Sequence, residues 1–232
     1  MTADNERYRS ADQVLARHRR DMGDDLGRVY NELSNGLSRL HVKWHLYRRL
    51  YAHSTGRIDL INKAAGWFFR VVQAALVGDV LLHIGRLTDQ ERIGSRDNLT
   101  IRRLPALVPE GLTADVTALH AAAITACEPI RPWRNRRGAH TDLETAIFGI
   151  PVPDITNEQV ETALASLRAL LNRIEHYYWR APTMYEEIVT PPGDADALVY
   201  YLLKGIRSDE GRRRRLLDGK PLPEDLENEE LP

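Results

Sequence analysis

The sequence contains a single cysteine, Cys127, among its 232 residues. One thiol cannot form a disulfide within the chain, and it cannot supply the several thiolates of a structural zinc site. The chain also lacks an excess of either charge, because 32 lysines and arginines stand against 33 aspartates and glutamates. A nucleic-acid-binding surface would therefore have to come from a local cluster of positive residues.

The sequence also lacks a recognisable membrane or export segment. Its most apolar stretch, residues 71–87, contains Asp79, His83 and Arg86, whose burial in hydrocarbon would be costly. Residues 2–13 are polar and have no apolar core of the kind found in signal peptides. We therefore expect a soluble, cytoplasmic protein.

Most of the hydrophobic residues, which make up 43% of the chain, follow a helical period. Apolar side chains recur at steps of three and four over residues 29–51, which predicts one helix from about Ser10 to Ala52, loosened near Gly23 and Gly27. The same pattern predicts three further long helices, over residues 59–87, from about 113 to 127 and, along the stripe from Val160 to Tyr178, one that ends just before Pro182. A capping box formed by Thr156 and Gln159 starts the last of them.

The C-terminal part has a different composition. Residues 183–193 read as a linker, residues 195–206 as a shorter helix and residues 212–215 as a run of four arginines. The acidic tail from Pro221 is expected to be disordered. We predict an all-α fold, an up-down four-helix-type bundle with a C-terminal helical appendage and acidic tail. The predicted divisions are a partly helical N-terminal extension (1–23), the bundle (24–182), and the linker, helix, basic run and tail (183–232).

The densest polar cluster follows the third long helix, where four arginines, an asparagine, a histidine and an aspartate lie between Arg131 and Asp142. Arginine binds phosphate through its planar fork, and histidine moves protons near neutral pH. Together they suit transesterification of RNA. The imidazole removes the 2′-hydroxyl proton or protonates the leaving oxygen, the guanidinium stabilises the phosphorane, and no metal is needed.

Spacing limits how these groups can meet. Arg134 and His140 are six residues apart and would diverge by about 120° on an unbroken helix. Convergence on one phosphate requires the helix to end or bend, which Gly138 permits. The nearby arginines favour a neutral His140, and Asp142 either offsets this effect or fixes the tautomer of the ring.

Two alternatives remain open from the residues alone. The arginines of the cluster also suit a helix C-terminus, where they interact with the helix dipole, beside a structural histidine. Asp79 and Arg86 share a face of the second long helix. They either line a cleft and orient Arg134 or His140, or form a partly buried ion pair, or leave Arg86 as a C-terminal cap.

Residues 134–140 resemble the signature of the HEPN superfamily (higher eukaryotes and prokaryotes nucleotide-binding), an arginine, a polar residue and then a histidine after four to six positions. Asn135 is the polar residue here. Four other segments, in matching order, resemble the AbiU-type branch found among phage abortive-infection proteins. They are Leu60–Asn62, Trp67–Phe69, Leu81–Asp89 and Asn98–Leu104. The resemblance covers roughly residues 24–180 and leaves the appendage unexplained.

The resemblance implies a helical bundle that forms a homodimer, in which two motifs face one cleft and act as a metal-independent endoribonuclease without a cofactor. Such proteins serve as toxins or antiviral effectors, and some are paired with an antitoxin. Other members have lost activity and only bind nucleotide or RNA. In this interpretation His140 is the general base or acid, Arg134 stabilises the phosphorane and Asn135 positions the phosphate or His140.

The remaining positive and aromatic residues of the cluster are candidate RNA contacts. They are Arg131, Arg136, Arg137 and Trp133. Two other hypotheses stay open: a non-catalytic module that holds a nucleotide or RNA with the same cluster, and a purely structural helical partner that is regulated by a co-encoded antitoxin.

Overall fold

The computed structural model describes residues 10–133, 154–188 and 193–226. Regular structure in these ranges is almost entirely helical, which confirms the all-α fold class. The helices are α1 (Ala11–Met22), α2 (Asp24–Tyr51), α3 (Thr55–Leu87), α4 (Leu104–Leu107), α5 (Glu110–Cys127), α6 (Arg131–Trp133), α7 (Asn157–Trp179) and α8 (Ala195–Leu217). The strands β1 (Arg92–Ile93) and β2 (Arg96–Asp97) pair antiparallel, and short 3-10 turns cover Ile101–Arg103, Glu128–Ile130 and Pro223–Leu226.

The chain divides into two compact units. The first comprises residues 1–44 and 76–188, and the second comprises residues 45–75 and 189–232. Both are discontinuous in sequence, because the division falls within α2 and within α3. The predicted boundaries at residues 23 and 182 stay a prediction.

The predicted N-terminal helix is interrupted once. Gly23 has a φ of +87°, a conformation that glycine adopts without steric cost, and it separates α1 from α2. A capping box starts α1, since the backbone N–H of Gln13 donates to Ser10 Oγ and that of Ser10 donates to Gln13 Oε1.

In the first unit, α2 and α7 carry the predicted apolar stripes into the core. Leu33, Leu37 and Leu40 of α2 are almost completely buried. The indole N–H of Trp44 donates to Glu161 Oε1 of α7 at 2.8 Å. The buried face of α7, which packs along α5, consists of Val160, Ala163, Leu164, Leu167, Leu170, Leu171 and Ile174. The predicted capping box at the start of α7 is confirmed.

The apolar helix α3 begins at Thr55, earlier than predicted, and is kinked at Ala65, where φ is −161° and ψ is 63°. Its composition predicts a central helix, yet Trp67 is 78% exposed, and Phe68 and Val71 are exposed as well. Within the described residues, α3 alone is long and apolar enough to cross a membrane, a test that core helices of soluble proteins also pass. The chain is compatible with a soluble protein.

In the second unit, an arginine network connects α8 to the end of α2 and the start of α3. Arg57 donates to Asp196 Oδ1 at 2.8 Å and to the backbone oxygen of Arg49, and Arg49 also pairs with Asp196. Asp194 accepts hydrogen bonds from the first turn of α8 and caps it. The predicted end of this helix at residue 206 is wrong, because α8 continues through the arginine run, whose residues are good helix formers.

The expectation of disorder from Pro221 onward is wrong for residues 221–226. Asp225 is buried and accepts two hydrogen bonds from the guanidinium of Arg215, at 2.7 and 2.6 Å. This bidentate contact, helped by the backbone N–H of Leu222, lowers the pKa of Asp225 to about 2. The ionised carboxylate therefore holds the turn against α8. Residues 227–232 lie outside the described part of the chain.

Burial strongly shifts the pKa of several titratable groups in the first unit, among them Cys127 and His41. Cys127 ends α5, and burial raises the pKa of its thiol to about 12. His41 of α2 is 4% exposed and stacks on Tyr185 with ring centroids 5.9 Å apart. Burial, followed by the Arg168 charge, lowers the pKa of His41 from 6.5 to about 4.

His41 predicts a pH dependence of stability. The unfolded chain takes up a proton at this side chain near pH 6.5, and the folded chain only near pH 4, so unfolding binds a proton between these values. The free energy of unfolding should fall as the pH drops through this window, by about 3 kcal/mol from this group. Between pH 7 and pH 4.5, the free energy of unfolding measured with urea should fall less in His41→Leu than in the wild type. An equal fall in both proteins would contradict the assignment.

Candidate functional site

The chain approaches the predicted motif through a change in helix type. After α5, a 3-10 turn containing Pro129 leads into α6. Arg131 of α6 forms an ion pair with Glu128, with 3.6 Å between Nη1 and Oε1. Pro129 does not interrupt the helical backbone, because it lies at the start of the 3-10 turn, where a missing backbone N–H breaks no helical hydrogen bond. The half-buried Trp133 lies against α3, since a Cβ on Gly78 would be 3.5 Å from its Cη2 atom. Trp133, which directly precedes the motif, therefore contacts the α3 residue that comes just before Asp79.

The other members of the predicted cluster lie outside the described residues. They are Arg134, Asn135, Arg136, Arg137, His140 and Asp142. Their catalytic, supporting and RNA-binding roles stay a prediction.

Two close contacts align α2 and α3 antiparallel in the first unit. Lys43 Nζ lies 2.5 Å from Asp79 Oδ2. Four residues further along α3, His83 Nε2 would lie 3.3 Å from a Cβ on Gly36, which is nearly two turns earlier on α2. Glycine at this helical position leaves room for the imidazole.

Between these contacts lies a pocket with a volume of about 370 Å³. The α2 wall is formed by residues at steps of four, three and four, so that they share one face. They are Glu32, Gly36, Arg39 and Lys43. The α3 wall follows the same rule and consists of Asp79, His83, Arg86 and Leu87, with Leu99 completing the lining.

The charges of the pocket are unevenly paired. Lys43 and Asp79 neutralise each other, whereas neither Arg39 nor Arg86 lies within ion-pair distance of a carboxylate in the described part of the chain. The remaining acidic side chain is Glu32, which accepts a hydrogen bond from Asn31 Nδ2 at 3.1 Å. The pocket therefore presents two guanidiniums whose charges no described partner offsets.

His83 is half-buried in this pocket. Burial lowers its pKa below the usual value of 6.5, and the charge of Lys43 lowers it further. Arg39 and Arg86 act in the same direction, while Asp79 opposes them. The imidazole is therefore neutral at neutral pH, with one nitrogen able to donate a hydrogen bond and the other to accept one.

The structure brings Asp79 and Arg86 to one pocket, as their spacing predicts. They do not form an ion pair with each other, because the partner of Asp79 is Lys43. Arg86 lies in the last turn of α3, where its charge suits the helix C-terminus. Thr88 Oγ1 donates to the carbonyls of Ile84 and Gly85 at the end of this helix.

Sequence reasoning did not select Arg39, Lys43, Glu32 or His83 as site residues. The available signal was the regular spacing of these positions on α2, about 100° around the helix from the apolar stripe, together with His83 between Asp79 and Arg86 on α3. Such a stripe is more often solvated, so its role becomes visible only when both helices are in place. In residues 10–133, 154–188 and 193–226, no three histidine, cysteine, aspartate or glutamate side chains are grouped to hold a metal ion.

Residues 23–198 match the HEPN_AbiU2 family, described as AbiU2. The match covers most of the chain, includes the Arg134–His140 segment and spans the pocket. The chain therefore belongs to this family. Searches of curated proteins and of solved structures found no match.

The environment of His83 predicts the effect of a single substitution. Asp79→Asn removes the charge that raises the pKa of His83 and leaves Lys43 unneutralised, so this pKa should fall further. A titration followed by NMR through the Cε1 proton measures it. Asp115→Asn is a matched control, since Asp115 is an exposed aspartate paired with Arg173 on α7. A rise in the pKa of His83 in Asp79→Asn would contradict this account of the pocket.

Proposed function

We propose that this member of the HEPN AbiU2 family is a metal-independent endoribonuclease that acts as a toxin or phage-defence effector. The observation that carries the proposal is the family match over residues 23–198, which contains a complete arginine–asparagine–histidine motif. Arg134, Asn135 and His140 agree with the signature at each position, which argues against a degraded site.

In the proposed reaction, neutral His140 takes the proton from a ribose 2′-hydroxyl. The 2′-oxygen attacks the adjacent phosphorus, the bond from phosphorus to the 5′-oxygen breaks, and the proton held by His140 passes to that leaving oxygen. The products are a 2′,3′-cyclic phosphate and a 5′-hydroxyl. Arg134 stabilises the negative charge on the pentavalent intermediate, and Asn135 positions the phosphate or the imidazole.

The surroundings of Trp133 support this proposal. Trp133, the residue directly before the motif, contacts Gly78 of α3. The next residue on this helix, Asp79, lines the pocket between α2 and α3. Asp79 and Arg86 are proposed to support the site from α3, and Asp142 from within the motif. Arg131, Arg136, Arg137 and Trp133 are proposed to contact RNA through charge and stacking.

The proposal extends to partners and location. A homodimer would bring two copies of the motif to one cleft, an antitoxin would restrain the activity, and the protein would act in the cytoplasm. The dimer and the antitoxin are implied by the family, and each is open to a direct measurement of oligomeric state or of co-purifying protein.

The guanidiniums of Arg39 and Arg86, which have no ion-pair partner among the described residues, also suit a second candidate, a non-catalytic module that binds nucleotide or RNA. The two functions differ in a simple observable. The enzyme converts RNA to fragments with cyclic phosphate ends, whereas the binding module retains intact RNA with an affinity that falls as salt is added.

Substitutions in the motif test the proposal. Purified protein incubated with single-stranded and structured RNA in EDTA should cleave it, and His140→Ala should lower the rate by about 100-fold or more, because general acid–base catalysis contributes about that much. Arg134→Ala should lower it comparably through lost phosphorane stabilisation.

His176→Ala serves as the matched control, since His176 is an exposed histidine on α7. It should cleave at the wild-type rate. Equal cleavage by wild type and His140→Ala would reject the mechanism, and bound but uncut RNA would favour the binding module.

A further inference from the structure

We propose that the pocket between α2 and α3 binds one phosphate group of an RNA strand, gripped by Arg39 and Arg86 with the imidazole of His83 between them. The inference rests on the proposed function in taking RNA as the ligand. It assigns a second phosphate site, built from residues outside the arginine–asparagine–histidine motif.

The position of the two arginines follows from the antiparallel alignment of α2 and α3. His83 lies level with Gly36. Arg39 is three residues beyond Gly36 on one helix, and Arg86 is three residues beyond His83 on the other, so the two guanidiniums come from opposite directions along the pocket. The positions of Arg39 and Arg86 along the two helices therefore lie on opposite sides of the level of His83.

The charge distribution favours an anion. Two like charges in one pocket repel each other, and no carboxylate in the described residues lies within ion-pair distance of either arginine. Lys43 already binds Asp79. Glu32 is about 10 Å along the helix from Arg39 and lies nearer the level of Arg86, so the lining carries three positive and two negative side chains and keeps a net positive charge. A phosphate would replace the missing counter-charge and accept hydrogen bonds from both guanidiniums.

The size and polarity of the pocket restrict the ligand. A volume of about 370 Å³ is at the lower end of small-molecule sites, enough for a phosphate with part of one attached nucleotide. Guanidinium forks match phosphate oxygens in pairs. A neutral imidazole adds one further donor without a charge of its own.

The direct test measures binding in the absence of cleavage. A fluorescent 2′-O-methyl RNA oligonucleotide has no attacking hydroxyl and stays intact, so its anisotropy with the full chain reports affinity alone. The double variant Arg39→Gln/Arg86→Gln should weaken binding by about tenfold or more, since it removes charge-assisted hydrogen bonds. The slope of log affinity against log salt should fall by about 0.7, the value for one phosphate of a single strand.

Arg28→Gln/Arg70→Gln is the matched control. It removes the same charge from α2 and α3 at exposed arginines outside the pocket lining, and it should bind within about twofold of wild type. Equal weakening in the control, or unchanged binding in the pocket variant, overturns the site. Thermal unfolding by circular dichroism confirms that each variant is folded.

Competition with small ligands tests whether the pocket recognises the phosphate group itself. Adenosine monophosphate and inorganic phosphate should displace the oligonucleotide at millimolar concentration, whereas adenosine, which has no phosphate, should not. Displacement by adenosine as well would overturn phosphate recognition. If the wild type fails to cleave RNA while the pocket variant still loses affinity, the phosphate site stands and the enzymatic proposal fails. If the wild type cleaves RNA and the pocket variant binds with unchanged affinity, the enzymatic proposal stands and the phosphate site fails.

Discussion

The antiparallel contact of α2 with α3 determines where the charged groups of the first unit are placed. Lys43 and Asp79 fix the relative position of the two helices at one end of the pocket, and His83 packs over Gly36 further along. The ion pair is partly exposed and adds little net stability. The buried apolar residues of the same helices, among them Leu40 and Ile84, stabilise the arrangement, whereas the polar contacts specify its register.

Gly36, a glycine within α2, also helps to specify the register of α2 against α3. Glycine in a helix interior costs up to about 1 kcal/mol relative to alanine. At Gly36 this cost coincides with a neighbour, the imidazole of His83, that a methyl group would crowd. The chain thus contains a less favourable residue in α2, and the imidazole of His83 occupies the space that this glycine leaves in a pocket also lined by Arg39 and Arg86.

Much of the fold was predictable because it depends on local patterns. The stripe of α2 and the capping box of α7 are set by residues within a few turns of each other, and both were found. The end of α8 was missed because the arginine run reads as a surface feature, while its acceptor, Asp225, is a tail residue that the composition assigns to disorder. The pocket was missed for a similar reason, since half of it lies on each of two helices. Arg134 and His140 were selected from the density and chemistry of their polar cluster and then from the family resemblance, and not from periodicity.

The chemistry of Cys127 has a practical consequence. It is the only thiol in the chain, it is buried, and its raised pKa keeps it protonated at neutral pH. Maleimide reagents should therefore leave the native protein largely unmodified. Spin or fluorescent labels attached at engineered surface cysteines would then report distances within the chain by spectroscopy, without any need to replace Cys127 first.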